Sequence, residues 1–372
     1  MSRITPLIAL LLFAAACTPS EDAATLPSQP TPGVLAAKDR SFVVFAQNAY
    51  VGTDVDAVLS APPEELAARL FAALNTFAST DWASRAGAIA EAIGRSGADL
   101  VALNEMTTLT VQGLAPMFPD LTVDFLTILQ GALASRGLDY QVAGVVANTD
   151  ANLQLGGPVI RLQDFDVVLV RSGITVSNVI AANYAARVPV SLGPLGDLTI
   201  TRGRVQLDAT MGDRSVRLVA THLEPVETSP LVQAAQASEL VSLLSGSPLP
   251  VIIAGDLNTM ATDPNPASPY AQFRAASFSD IATIHGVKRP AVVNTCCHAP
   301  DLRNAAPTLV KRIDHILFRS DEREGGPQGI AVRQMELFGD ELHERTLSGL
   351  WPSDHAGVLA TFDWRAGGFF SR

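Results

Sequence analysis

Lysine is nearly missing from this sequence. Of 26 basic residues only Lys38, Lys288 and Lys311 are lysines, and 37 acids bring the net charge to -11. Gripping long nucleic acid takes a basic stripe that displaces phosphate counterions, and none is visible. Charged residues make up only 17% against 48% hydrophobic, which excludes a disordered chain. Gly and Pro, at 27 and 24, are too few for a collagen-like or low-complexity protein. No internal repeat appears. HExxH and CxxC spacings are absent, so the common zinc sites are not indicated. Cysteine is limited to Cys17, Cys296 and Cys297, but 372 residues can bury a large core without disulfide staples.

The first 17 residues read MSRITPLIALLLFAAAC. One early charge, Arg3, precedes an apolar run from Pro6 to Ala16 that is too short to span a bilayer. Residues 1–16 are expected to be a secretory signal peptide. Ala14-Ala15-Ala16-Cys17 resembles a bacterial lipoprotein box, with Cys17 as the lipidated residue. Residues 17–40, rich in Pro, Ser and Thr, read as a tether spanning on the order of 25 Å. The expected location is a membrane-anchored lipoprotein on the periplasmic or cell-surface side. Removing residues 1–16 takes away Arg3 and no acid, so the mature charge is -11 - 1 = -12. Residues 41–366 show no second linker and are expected to form one large domain.

Within that body, β-branched apolar runs predict strands at Ser41–Ala46, Asp99–Leu103, Asp166–Val170, Val216–Ala220, Pro250–Ala254, Ile313–Phe318 and Gly357–Phe362. Helical spacing predicts helices over Glu64–Ala78, Trp82–Arg95 with Asp81 as N-cap, Leu121–Ser135, and Leu231–Leu244 behind Ser229-Pro230. Met211-Gly212-Asp213 reads as a hairpin turn between Leu198–Thr210 and Ser215–Thr221. The mixture predicts an α/β fold whose sheets are not purely parallel.

Chemistry gathers where the strands end. Asn48 lies just past the first, Asn104-Glu105 past the second, Thr221-His222-Leu223-Glu224 and Gly255-Asp256-Leu257-Asn258 past two more. Ser353-Asp354-His355 leads into the last, and Asp314-His315 sits inside an apolar run. One Gly-Asp marks only a turn, and one His is usually structural. Together, acids and amide oxygens form a hard donor set suited to Mg²⁺ or Mn²⁺, and histidines beside them suit proton transfer and anion contact. A hard cation with an oriented base is what phosphoester hydrolysis requires.

This ordered set of motifs resembles the endonuclease/exonuclease/phosphatase superfamily, over roughly residues 41–364. The group includes pancreatic-type deoxyribonucleases, abasic-site endonucleases, bacterial sphingomyelinases and inositol phosphatases. The resemblance implies a four-layer α/β/β/α sandwich with two packed mixed β-sheets. It implies that Glu105 is the principal metal ligand, helped by Asn48 and Asp354. Asp256 and Asn258 would orient the attacking water and a phosphate oxygen. In an extended strand these two positions share a face. His355 would contact the phosphate or act as base, with Asp314 holding its other nitrogen, since such a pair raises imidazole basicity. His222 would stabilise phosphate charge or protonate the leaving group. The implied cofactor is Mg²⁺ or Mn²⁺.

Two departures from the family pattern stand out. Where members often carry an Asn, this chain has Asp166, which either replaces that contact or starts the strand. Lysine-rich surfaces of the DNA-repair members are absent. Arg202 is a candidate for substrate phosphate, the alternative being a solvated strand arginine. His315 should face away from Asp314 and be structural, and His285, His298 and His343 have no motif. Adjacent Cys296 and Cys297 favour a vicinal disulfide in a secreted protein, with free thiols or intermolecular pairing as alternatives. Their loop, Asn294–Asp301, reads as a pocket wall, with Asp301 and Arg303 as further candidates. Loops 143–164 and 285–311 are expected to set substrate choice.

The expected function is a membrane-tethered, metal-dependent phosphodiesterase, monomeric, acting on a small or lipid-borne phosphoester. The rivals are an extracellular nuclease that scavenges phosphate and a non-catalytic binding lipoprotein on the same scaffold.

Overall fold

The structure, a computed structural model, describes residues 41–366 apart from Pro63, Leu155, 193–195 and 321–327. The expected signal peptide, Cys17 and the tether lie outside the described residues. Eight strands form one sheet: β1 (Ser41–Asn48), β2 (Leu100–Asn104), β3 (Thr108–Gln112), β4 (Leu121–Asp124), β5 (Tyr140–Gln154), β6 (Val159–Arg171), β15 (Gln328–Phe338) and β16 (Gly357–Ala366). Their order is β15-β16-β1-β2-β6-β3-β4, with β5 also paired to β6. A second sheet runs β13 (Ser279–Asp280), β14 (Asp314–Arg319), β12 (Val251–Asp256), β11 (Arg214–Thr221), β10 (Gly203–Met211) and β7 (Thr175–Asn183). β8 (Val188–Ser191) and β9 (Asp197–Ile200) form a separate hairpin. The helices are α1 (Asp56–Leu59), α2 (Leu66–Ser79), α3 (Trp82–Ser96), α4 (Phe125–Ala134), α5 (Pro230–Leu244) and α6 (Pro269–Ala275). Among the described residues no helix is long and apolar enough to cross a membrane.

Three apolar layers hold these elements together. Between the sheets, Phe42, Val44, Leu100 and Val168 meet Val205, Leu218, Ile252 and Ile316. The outer face of the first sheet, through Phe45, Val101 and Leu169, packs on Leu74, Ile89, Ile93 and Leu129 of α2, α3 and α4. On the second sheet, Val219, Ile253 and Leu317 meet Leu240 and Phe273 of α5 and α6. Alternate residues of β2 thus serve two cores, which is why Leu100–Leu103 are all apolar and the whole strand is buried. The result is the α/β/β/α sandwich that the family resemblance implies.

Three local expectations change. The Leu121–Ser135 stretch opens as β4, and its helix starts only at Phe125, because Asp124 caps it by accepting from the Thr127 N–H at 3.0 Å. The strand expected over Leu198–Thr210 is broken at Thr201-Arg202 into β9 and β10. Region 143–164 is mostly the paired strands β5 and β6 rather than a loop. Asp166 lies mid-strand in β6, fully buried, so it does not start the strand.

Pairing direction places the site. β1 and β2 are parallel, and β16 runs antiparallel to β1, so the start of β16 meets the end of β1. In the other sheet β11 and β12 are parallel, and antiparallel β14 sets Asp314 opposite Asp256. Ends of β1, β2, β11 and β12 and starts of β14 and β16 therefore share one edge of the sandwich.

Below that edge, His315 turns away from Asp314, as expected. Its Nε2–H donates to the Thr259 carbonyl at 2.8 Å, and Nδ1 accepts from Arg312, whose fork also holds Asp280 at 2.7 and 3.2 Å. Burial, with the Arg312 guanidinium adding to it, pushes the His315 imidazole down to about 4. An unfolded imidazole titrates near about 6.5. Between those values the unfolded chain takes a proton that the folded chain refuses, so stability falls as pH drops through this window. Urea unfolding in steps from neutral pH to the acid end of the window should show this loss. His315→Gln should flatten it by up to roughly 1 kcal/mol per pH unit, and equal slopes in both proteins would refute the assignment.

Candidate active site

The shared edge opens on a cavity of about 470 Å³, lined among others by Glu105, His222, Asp256, Asn258, Asp354 and His355. Residues of four separate motifs thus line one cavity, and Asn48 and Asp314 of two more stand behind it, hydrogen-bonded to Glu105 and His355. Asn48 is the bracket between the sheets. Its Nδ2 donates to Glu105 at 2.9 Å and to Asp256 at 3.2 Å. Its Oδ1 accepts the Tyr50 N–H at 2.9 Å, which fixes the amide's orientation. One lone pair of this oxygen is thus taken by the backbone and the other is free for a cation, while the amide nitrogen holds the two carboxylates.

Backbone conformation aims these groups. Glu105, Tyr50 and Asn258 have φ of 55°, 60° and 48°, which L-residues with side chains seldom adopt. The left-handed turn at Glu105 swings its carboxylate off the β2 axis, where Oε2 also accepts the Val51 N–H at 2.8 Å. At Asn258 the same turn overrides the strand-alternation argument. Asp256 and Asn258 meet because the Asn258 N–H donates to Asp256 Oδ1 at 2.9 Å, not because they share a strand face. Between β12 and its neighbours there is no room for a Cβ at Gly255, which would stand 2.7 Å from Asn104 Oδ1 and closer still to the Thr221 carbonyl.

The two histidines are set in opposite states. Asp314 Oδ2 lies 2.8 Å from His355 Nδ1, and Asp256 Oδ2 lies 3.8 Å away. Burial works against the imidazolium, but Asp314, Asp354 and Asp256 outweigh it and hold His355 well above its ordinary value. The Asp314 and Ile313 N–H groups both donate to Thr295 Oγ1, at 3.1 and 3.2 Å, which seats the dyad. His222 has Arg202 NH1 at 3.0 Å from Nδ1 and Asn258 Nδ2 at 3.1 Å from Nε2. Burial, then the Arg202 charge, holds His222 well below its usual range. A guanidinium only donates, so Nδ1 accepts and Nε2 keeps the proton, 3.6 Å from Asp256; the Asn258 amide nitrogen, itself only a donor, then gives its hydrogen bond to the Leu223 carbonyl at 2.9 Å and not to Nε2. A neutral His222 is a hydrogen-bond donor, not a cation.

Arg202 is not a solvated strand residue: it lines the cavity and is held from behind by acids. Its Nε donates to Glu224 at 3.2 Å, and Asp164 lies 3.9 Å away. Its partners are internal, and it positions His222. Asp166 accepts from Asn104 Nδ2 at 2.8 Å and is pushed up to about 8 by burial and then by Asp164. Cys296 and Cys297 are bonded to each other and wall the cavity together with His298 and Pro300. Bonded sulfurs are not thiolate ligands. Asp301 and Arg303 stay outside the cavity lining.

Arg85 was not legible as a site residue. It is fully buried in α3 and donates to the carbonyls of Thr80, Ala49, Pro352 and Tyr50. It thereby ties the chain after β1 to the chain before His355. The one available signal was its place on the apolar face, three residues after Trp82 and four before Ile89.

The donor set fits a hard divalent cation. Glu105, Asp256 and Asp354 are all raised by burial, the last two to about 7, and the Glu105 charge adds to the shift at both. Such uncompensated oxygen donors suit Mg²⁺ or Mn²⁺. Asp256, Asp314 and His355 also bring ligand atoms within 4.8 Å of one another.

A two-sheet sandwich with buried acids and an Asp–His pair on one edge is the build of a phosphoesterase. This chain belongs to the Endonuclease/Exonuclease/phosphatase family, which its sequence matches over residues 72–355. Members of that family hydrolyse phosphoester bonds with divalent metals. No curated protein matches the sequence. Among solved structures, a family member from Bacteroides thetaiotaomicron is 15% identical, with 89% of this chain and 98% of that one covered and a TM-score of 0.54. A Leptotrichia buccalis member is 13% identical, covering 86% and 98%, with a TM-score of 0.52. Humanized D. rerio TDP2 with 14 mutations is 16% identical, covering 87% and 98%, with a TM-score of 0.50. At these identities the likeness is one of fold.

If the clustered carboxylates are a cation site, Mg²⁺ or Mn²⁺ should stabilise the fold, by about 2.7 kcal/mol at a hundredfold excess over Kd. Thermal melts should shift upward with the ion, return with chelator, and show no ion dependence in Glu105→Gln. An unchanged shift in that variant would place the ion elsewhere.

Proposed function

We propose that this protein is a membrane-tethered, divalent-metal-dependent phosphodiesterase acting on a small or lipid-borne substrate. The observation that carries the reading is the convergence of the Asp314–His355 pair, Asp256 and Glu105 in one cavity. The tether rests on residues 1–40: a short apolar run, small residues before Cys17, and a Pro-rich stretch. The preference against long nucleic acid rests on the net charge of -11 and the scarcity of lysine.

Glu105 and Asp354 would hold the cation, with Asn48 fixing the Glu105 carboxylate. The bound ion would supply positive charge opposite the phosphoryl oxygens. His355, kept protonated by Asp314, contacts a non-bridging oxygen. Asp256, at about 7, takes a proton from the attacking water near neutral pH. The neutral His222 Nε2–H gives a further hydrogen bond, and Arg202 keeps that tautomer. Asn258 packs its amide between the Leu223 carbonyl and His222, which places the His222 ring. Hydrolysis leaves a phosphomonoester and an alcohol.

Residues 18–372 should hydrolyse bis(p-nitrophenyl) phosphate with Mg²⁺ or Mn²⁺ and stop with chelator. Asp256→Ala should lower kcat by about 10²-fold or more while the protein stays folded. Equal rates in the two proteins would refute the assignment of Asp256 as base.

A further inference from the structure

Beside the catalytic cavity lies a second one of about 100 Å³. Its walls come from α1 and α2 (Val58, Leu74), from β5 and β6 (Leu153, Ile160) and from the β8–β9 hairpin (Leu198). Among the described residues, the only polar side chains lining it are Thr53 and Thr149. Five residues, Thr53, Val55, Leu59, Thr149 and Leu162, line both cavities. The chain that donates Val51 N–H to Glu105 continues directly into the shared wall at Thr53 and Val55.

We propose that this slot takes an alkyl arm of the phosphoester whose phosphate occupies the catalytic cavity. The inference rests on the hydrolase reading and names the class of substrate: a phosphodiester with a saturated chain on one ester oxygen. An apolar cavity stays dry and accepts apolar guests, and one of roughly 150 Å³ holds a benzene ring. A slot of about 100 Å³ suits a few methylenes instead. A nucleobase or sugar would bury donors and acceptors with almost no partners here, at a cost for each group. Of the five shared residues Val55, Leu59 and Leu162 are apolar, so a simple alkyl ester can run from the phosphate into the slot along their side chains, past the hydroxyls of Thr53 and Thr149.

The test uses p-nitrophenyl methyl, propyl and hexyl phosphates, so that only the chain varies. With the divalent ion, kcat/KM should rise by about fourfold per methylene until the slot is full. Ala73→Leu, which fills the slot from α2, should flatten the series. Ala151→Leu does the same from β5, should Ala73→Leu fail to fold. Calorimetry with hexylphosphonate and methylphosphonate reads the slot without turnover. A rising series, or tighter hexylphosphonate binding that either variant removes, supports the proposal. If no ester is hydrolysed but that binding difference is found, the slot stands and the diesterase reading falls. A flat series with equal phosphonate affinities overturns the slot and leaves the diesterase reading intact. No hydrolysis together with equal affinities overturns both.

Discussion

Two buried amides cross from one sheet to the other, and the site depends on them. Asn104, at the end of β2, accepts the Asp256 N–H from β12 at 3.0 Å and donates to Asp166 on β6. Asn48, at the end of β1, donates to Glu105 from its own sheet and to Asp256 from the other. The gap between the sheets at this edge is therefore set by the length of an asparagine side chain. In a low-dielectric interior such hydrogen bonds are strong and help to specify one arrangement. The missing Cβ at Gly255 is the other half of the same constraint, because the Asn104 oxygen and the Thr221 carbonyl fill that space.

Electrostatics follows from this packing. Bringing strand ends together concentrates acids, and the fold sets two guanidiniums of different duties beside them. Arg85 is saturated by backbone carbonyls and acts as a clamp. Arg202 is held charged by Glu224, Asp164 and Glu105 against the effect of burial, and its neighbour His222 is kept neutral. His355, beside Asp314, is kept charged. Two imidazoles in one cavity thus take opposite forms because one faces an arginine and the other an aspartate.

The architecture was legible because the sheet strands at its centre are apolar on both faces, and the site because polar residues interrupt those runs at their ends. β5 escaped notice: YQVAGVVANTDANLQ is largely exposed or half-buried, so it lacks the apolar run that marks a core strand. β7 is missed for the same reason, being an edge strand with an exposed face. Asn258 shows a different limit. Its type and proximity to Asp256 were readable, but its left-handed backbone is a tertiary outcome of the turn that carries it. Arg202 is recognisable as a residue of interest, yet its partners come from the chain after β11 (Glu224) and from β6 (Asp164), and only folding decides which contacts an arginine makes.

Ile160, Leu162, Asp164 and Asp166 follow one another on a single face of β6, hydrocarbon first and acid after. Successive members stand about 7 Å apart, the repeat of an extended chain. The strand is therefore a ruler with two scales printed on one side. Inserting one residue between Leu162 and Asp164 would rotate the buried acids out of register with Asn104 and Arg202. Inserting two would keep every side chain on its face and move the acids one notch along. A chain built this way can change the reach between its greasy and acidic marks only in steps of two residues.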